Sequence, residues 1–154
     1  MVETLLPAQE DDVLEFDELW SYVQCKEQQA WLWMVLCRRT RQVIAYAIGD
    51  RSEKTCRWLW TRMPERYRTL RSYSDFYHAY LNVIPEEQHE AVGKDSGQTN
   101  HIERFNNTLR QRLGCLVRKT LSFSKSLAWH QLRIRLFLLR HNRERANIYK
   151  ALEV

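Results

Sequence analysis

Asn100-His-Ile-Glu-Arg-Phe-Asn-Asn-Thr-Leu-Arg-Gln-Arg112 reads as a helix with two unlike faces. At 3.6 residues per turn, Ile102, Phe105, Leu109, Leu113 and Leu116 fall within an apolar arc roughly 80° wide, the stripe a helix turns toward a core. Glu103, Asn106, Asn107, Arg110 and Gly114 fall within roughly 100° on another face. Of that second set only Glu103 binds a hard cation strongly. Asn100-x-x-Glu103 also fits a capping box, in which a carboxylate at the third helical position bonds back to the cap. Two earlier aspartates, Asp17 and Asp75, bear on which use of Glu103 applies.

The chain ahead of this helix alternates strand and helix signals. Val13 to Val23 has the residue types of a strand, interrupted by Glu15, Asp17 and Glu18. Carboxylates are disfavoured inside strands, and the period of two puts Glu15 and Asp17 on one face, so solubility or a bound cation must account for them. Gln24 to Gln29 is polar and predicts a turn. Ala30 to Leu36 and Gln42 to Ile48 predict a second and third strand, joined by Arg38-Arg-Thr-Arg41, with Gly49 ending the third. Ser52 suits an N-cap for a helix running to about Met63, before Pro64, with Trp58, Leu59 and Trp60 as its docking side chains.

A fourth strand is expected around Thr69 to Tyr73, then Asp75, which serves either as an N-cap for a short helix ending before Pro85 or as a ligand. A brief fifth strand fits Glu90 to Val92, and Lys94 to Gln98 is a polar loop. A last helix is expected from about Ser124 to Asn142, with Leu127, Trp129, Leu132, Leu136 and Leu139 as its apolar positions. Residues 1–10 read as a loose lead-in, 11–147 as one domain and 148–154 as a tail. The order βββ-α-β-α-(β)-α-α is that of an α/β, RNase H-like fold: a five-stranded mixed sheet with flanking helices and a basic C-terminal helix. There the first and fourth strands lie side by side, which brings Asp17 near Asp75.

Charge is distributed unevenly over the 154 residues. Residues 101–154 hold 12 Lys and Arg against three acids, a net of +9, and residues 1–100 hold 12 against 16, a net of −4. A basic rear third of that density suits a polyanion such as nucleic acid. The four cysteines, Cys25, Cys37, Cys56 and Cys115, include no C-x-x-C pair, which argues against a zinc site and for reduced thiols in the cytoplasm. No signal peptide opens the sequence, and no apolar run is long enough to span a bilayer.

Leu14-Glu-Phe-Asp-Glu-Leu-Trp20, Trp31-Leu-Trp33, Gly49-Asp-Arg51, Tyr73-Ser-Asp-Phe76 and His101-Ile-Glu-Arg-Phe-Asn-Asn-Thr-Leu-Arg110 resemble the transposases of the bacterial insertion-sequence-one family, from about Leu6 to about Asn147. That family belongs to the DDE recombinases. The resemblance implies that Asp17, Asp75 and Glu103 are the acidic triad, with 57 residues between the first two and 27 between the second and third. Arg110, seven positions after Glu103, matches the basic residue typical of DDE enzymes. It implies DNA as substrate, a homo-oligomer in the synaptic complex, and association with the bacterial nucleoid when bound. It also implies a zinc-ribbon and helix-turn-helix region, encoded in an upstream frame, that reads the element's ends; this sequence corresponds to the downstream, catalytic half.

The chemistry expected of such a triad is phosphodiester cleavage by two Mg²⁺ ions (or Mn²⁺ as substitute) about 3.5–4 Å apart. Asp17 would bridge the ions, and Asp75 and Glu103 would each complete one. Hydrolytic nicking at an element end would be followed by attack of the freed 3′-hydroxyl on target DNA. Asn106, Asn107 and Arg110 share the Glu103 face, to orient the glutamate or touch the backbone. Lys119, Lys125, Arg133 and Arg140 are candidate phosphate contacts. Trp31 and Trp33 alternate on one strand and read as core. The competing reading is a catalytically silent DNA-binding or subunit-interaction remnant lacking the DNA-reading region.

Overall fold

A computed structural model describes residues 1–152. Its centre is a five-stranded sheet of order β5-β4-β1-β6-β7, made by β1 (Val13–Leu19), β4 (Trp31–Cys37), β5 (Val43–Gly49), β6 (Arg71–Ser74) and β7 (His89–Ala91). β1 pairs antiparallel with β4 and β4 with β5, whereas β6 runs parallel to both β1 and β7. The helices are α1 (Glu53–Arg62), α2 (Glu65–Arg68), α3 (His78–Val83), α4 (Asn100–Arg112) and α5 (Leu127–Leu152). This is the α/β, mixed-sheet, RNase H-like arrangement expected from the order of elements.

Strand alternation builds two cores. Along β4, Trp33, Val35 and Cys37 point to the face covered by α1, α2 and α3, while Leu32, Met34 and Leu36 point to the face covered by α4 and α5. Along β1, Leu14 and Phe16 take the first face and Leu19 the second. Glu15 and Asp17 therefore lie on the α4 side, held in register by Leu14, Phe16 and Leu19 along the same strand. α1 docks through Cys56, Leu59 and Met63, not through Trp58, which is exposed under the Arg62 guanidinium. Ser52 occupies the N-cap position without a side-chain bond; Asp50 instead accepts the Ser52 and Thr55 hydroxyls at 2.5 and 2.6 Å.

Several expectations change. Gln24 to Gln29 is not a plain turn: β2 (Tyr22–Val23) and β3 (Cys25–Gln29) form a separate two-stranded ribbon, closed by Gln24 at φ 63°. The lead-in is tied down rather than loose. Leu6 donates its N–H to Gln42 Oε1 at 2.8 Å, and the Leu6 carbonyl accepts the Tyr67 hydroxyl at 2.7 Å. α4 ends at Arg112, so Leu113 and Leu116 reach the core from a cap and a 3₁₀ turn.

The largest departure is in α5, which continues to Leu152 and so includes residues 148–152 of the expected tail; residues 153 and 154 lie outside the described residues. Its buried stripe is His130, Ile134, Leu138 and Asn142, every fourth residue, while Leu127, Trp129, Leu132 and Leu136 are exposed. Two polar residues hold this stripe because each is fully hydrogen-bonded. His130 lies between the Ser21 and Ser124 hydroxyls, at 2.9 and 3.0 Å. Asn142 accepts the Val43 N–H and donates to the Val43 carbonyl, both at 2.8 Å, satisfying edge groups of β5. Among the described residues no helix is long and apolar enough to cross a membrane.

Candidate active site

The register of the parallel pair positions the first two carboxylates. Val13, Leu14 and Glu15 of β1 stand opposite Arg71, Ser72 and Tyr73 of β6. Continued two residues further, that register sets Asp17 level with Asp75 at the C-terminal ends of neighbouring strands, where open α/β sheets place their sites. Asp75 accepts the Tyr77 N–H at 3.0 Å, a local turn and not the N-cap of α3, whose cap is Tyr77.

Glu15 brings α4 to the same edge. It is fully buried, and its Oε2 accepts the His101 and Ile102 N–H groups at 2.9 and 3.0 Å. Its Oε1 lies 2.9 Å from Arg38 Nε and 2.7 Å from His101 Nδ1. A carboxylate from the sheet thus caps the first turn of α4, where unpaired N–H groups and the helix dipole favour negative charge. Capping therefore does not fall to Glu103. Its Oε1 instead accepts the Thr99 hydroxyl at 2.9 Å, and no side-chain bond caps the helix at Thr99.

With α4 so held, Asp17, Asp75 and Glu103 line one cleft of about 500 Å³, together with Asn106, Asn107 and Arg110 from the same helix face. Asn106, only 6% exposed, donates from Nδ2 to Asp17 Oδ2 at 2.7 Å; it orients the aspartate rather than Glu103. The Glu18 N–H holds the other oxygen, Oδ1, at 2.9 Å. Burial first, then the negative charges of Glu18, Asp75 and Glu103, push the Asp17 carboxyl up to about 7. The Asn106 Oδ1 and Arg110 Nε atoms are buried without a hydrogen-bond partner. Burial, then the nearby Arg118, lowers the Arg110 guanidinium from its ordinary value.

The oxygen donors of Asp17, Asp75 and Glu103 suit a hard divalent ion in kind. In placement they are looser: among the described residues no group of three or more His, Cys, Asp or Glu is close enough to hold a metal as it stands.

The cleft also contains residues to which the sequence reading gave no role. Glu18 accepts Arg51 Nη2 at 2.6 Å and the Tyr80 hydroxyl at 2.7 Å. Arg51 stacks over Tyr77 and Trp31, 4.3 and 4.8 Å from their ring centroids. Trp31 is thus part of the cleft wall, while Trp33 is wholly buried and donates to the Asp50 carbonyl. Arg118 and Lys94 complete the basic side of the cleft. The presence of Gly49-Asp-Arg51 among the family-like segments was the available signal for Arg51.

Of the expected phosphate contacts, Lys119 is exposed beside Arg118, which takes the cleft position instead. Lys125 and Arg133 line a different groove with Trp129, and Arg140 pairs with Glu144 at 2.7 Å on exposed helix surface.

The IS1 transposase family matches residues 13–144. The insertion element iso-IS1n protein InsB of Shigella dysenteriae is 37% identical over 129 residues, covering 84% of this chain and 95% of that protein. The insertion element IS1 protein InsB of Shigella flexneri is 35% identical over 116 residues, covering 75% and 86%. The IS1 4 protein InsB of Escherichia coli K12 is 34% identical, covering 75% and 67%. A match that spans the whole sheet, from the start of β1 through α4 and into α5, means that the chain belongs to the IS1 transposase family.

Proposed function

We propose that this chain carries out metal-dependent DNA strand cleavage and strand transfer to move an insertion element, with Asp17, Asp75 and Glu103 as its catalytic carboxylates. One observation carries the reading: three carboxylates from β1, the end of β6 and α4 open onto one cleft, where burial, and after it the negative charges of Glu18, Asp75 and Glu103, push the Asp17 carboxyl up to about 7. Like charges kept together in a partly buried cleft are costly unless a cation or a reacting group uses them. Divalent ions, Mg²⁺ or Mn²⁺, held by these three side chains would supply charge relief at phosphorus and an activated attacking oxygen.

The chain's own residues orient the site. Asn106 and the Glu18 N–H fix both Asp17 oxygens, Thr99 fixes Glu103, and the Tyr77 N–H fixes Asp75. Arg51, Arg110, Arg118 and Lys94 surround the carboxylates with positive charge. A phosphodiester backbone would meet those cations before its scissile group reached the acids. The domain proposed for this work is 11–147. Assembly into a homo-oligomer on DNA and joining to an upstream-frame DNA-reading region belong to the same proposal.

A second reading, a catalytically silent DNA-binding remnant, is favoured by the looseness of the donor set. Nicking of supercoiled plasmid in Mg²⁺ or Mn²⁺, with Asp75→Asn as control, separates the two. Metal-dependent nicking that Asp75→Asn abolishes supports the catalytic reading. DNA binding without nicking, in the chain alone and when joined to the upstream region, supports the remnant.

A further inference from the structure

Another face of α4 borders a second hollow, of about 260 Å³, outside the carboxylate cleft. Leu36 and Phe105 contribute its apolar lining, and Arg41, Arg104, Arg145, His101 and His141 its polar lining. None of those three arginines has a carboxylate partner among the described residues; the nearby acid, Glu15, is engaged by Arg38, His101 and two backbone N–H groups. Arg41 Nη1 is buried and makes no hydrogen bond. Burial lowers the Arg41 guanidinium from its ordinary value; Glu15 opposes that shift, and Arg145, Arg104 and Arg38 add to it.

The turn that presents Arg41 is held in place from α5. Arg41 sits at φ 60°, a left-handed conformation that a residue with a Cβ rarely adopts. His141 Nε2 lies 2.8 Å from the Arg41 carbonyl and holds the turn, while the His141 ring packs 4.5 Å from that of Phe105. Arg145 Nε reaches the Thr40 carbonyl at 3.4 Å, so α5 supports both sides of the turn. Three converging guanidiniums, one with a buried and unused donor, complement the oxygens of a tetrahedral anion.

We propose that this hollow binds a phosphate group of a DNA backbone, on a stretch of the duplex other than the one entering the carboxylate cleft. The identification of the polyanion as DNA rests on the DNA-processing reading above. A contact to a phosphate carries no sequence information, so the hollow would position the duplex without choosing its sequence. Its role is to fix where DNA passing outside the cleft lies relative to α4.

The test is the double variant Arg104→Gln/Arg145→Gln, whose side chains are exposed or half-buried, with its fold checked by circular dichroism and urea unfolding. Binding of a short random-sequence duplex is followed by fluorescence anisotropy across a KCl series. For every phosphate that a cation no longer neutralises, the slope of log affinity against log salt becomes shallower by ~0.9. We expect the slope to fall by about 1–2, and inorganic phosphate to shift the arginine Nε–H resonances of the wild type but not of the variant. An unchanged slope overturns the proposal. So does phosphate binding without any effect on DNA, which would mark a pocket for a free phosphate ester. Plasmid nicking is measured alongside: absence of nicking in the wild type, with the slope change present, counts against the catalytic reading and leaves this one standing.

Discussion

Glu15 in the middle of β1 accepts the His101 and Ile102 N–H groups at the start of α4, so one buried carboxylate fixes the helix that carries Glu103 against the strand that carries Asp17. Removing it leaves the first α4 N–H groups and the Arg38 Nε–H without their acceptor, while Arg38 Nη2 keeps its bonds to Gln98. Glu15→Ala is expected to destabilise the fold by about 3 kcal/mol, in the range for breaking a buried pair. Urea unfolding checks it. A loss below about 1 kcal/mol, the scale of an ordinary surface pair, would mean that apolar packing of Ile102, Phe105 and Leu109 alone seats the helix.

Asn106 touches Asp17 but none of the other cleft carboxylates through a hydrogen bond among the described residues. Asn106→Ala is therefore expected to lower nicking by about 10–100-fold, the usual effect of removing a residue that orients a ligand. Thermal stability should change far less than in Glu15→Ala. Asn106→Asp places a further negative charge beside Asp17 and should be worse than alanine at low metal concentration. Nicking rates over a metal titration distinguish the two: alanine mainly lowers the plateau, aspartate shifts the midpoint as well.

The Asp17 carboxyl, pushed up to about 7 from an ordinary 3.8, sets a pH dependence on its own. Its folded pKa lies above its unfolded value, so the folded state holds the proton more tightly. Stability from this group is full below pH 3.8 and is lost as pH rises through 7 in the absence of a cation. Added Mn²⁺ should therefore raise the melting temperature more at pH 8 than at pH 5, and Asp17→Asn should erase most of that difference. Equal metal shifts at both pH values, or an unaltered response in Asp17→Asn, would count against Asp17 as a ligand.

His130 and His89 act in the opposite direction. Burial lowers each imidazole to about 4, below the ordinary 6.5, with repulsion from Arg133 a further cause for His130. Their folded pKa values lie below the unfolded ones, so stability is present above pH 6.5 and is lost as pH falls toward 4. His130, sealed between Ser21 and Ser124, is expected to account for up to about 3 kcal/mol of that acid loss. In His130→Gln the drop in urea midpoint between pH 7.5 and pH 5 should be visibly smaller than in wild type. Parallel pH profiles for the two proteins would rule the histidine out as the source.

That Asp17, Asp75 and Glu103 come to one cleft could be read in the sequence because their carriers leave strong marks: acids inside an apolar strand, an aspartate after a strand end, and a two-faced helix. The parallel β1–β6 pairing followed from the order of elements. What could not be read was the partner of each polar group. Glu15 and Asp17 share a strand face, yet one became a helix cap and the other a cleft carboxylate, a difference set by which part of α4 each meets. On α5, counting leucines selected Leu132 and Leu136, whereas the core took His130 and Asn142. Those polar side chains are buried because Ser21, Ser124 and Val43, distant in sequence, satisfy them. Arg51 was hidden for a similar reason: its aromatic bed comes from β4 and from the turn before α3.

The level placement of Asp17 and Asp75 has a consequence for how such chains tolerate change. Their separation is tied to the spacing of neighbouring strands, about 4.8 Å, and not to the length of chain between them. Insertions in the turns from residue 38 to residue 70 should leave that pair as it is. The distance from Asp75 to Glu103 has no such guarantee, because the segment joining β7 to α4 is loop and 3₁₀ turn. Length variation there is absorbed only while Glu15 still finds the first turn of α4. A one-residue slip of β6, by contrast, would turn Asp75 to the opposite face of the sheet. Indels should therefore be tolerated in the turns before β6, be rarer between β7 and α4, and be absent within β1 and β6.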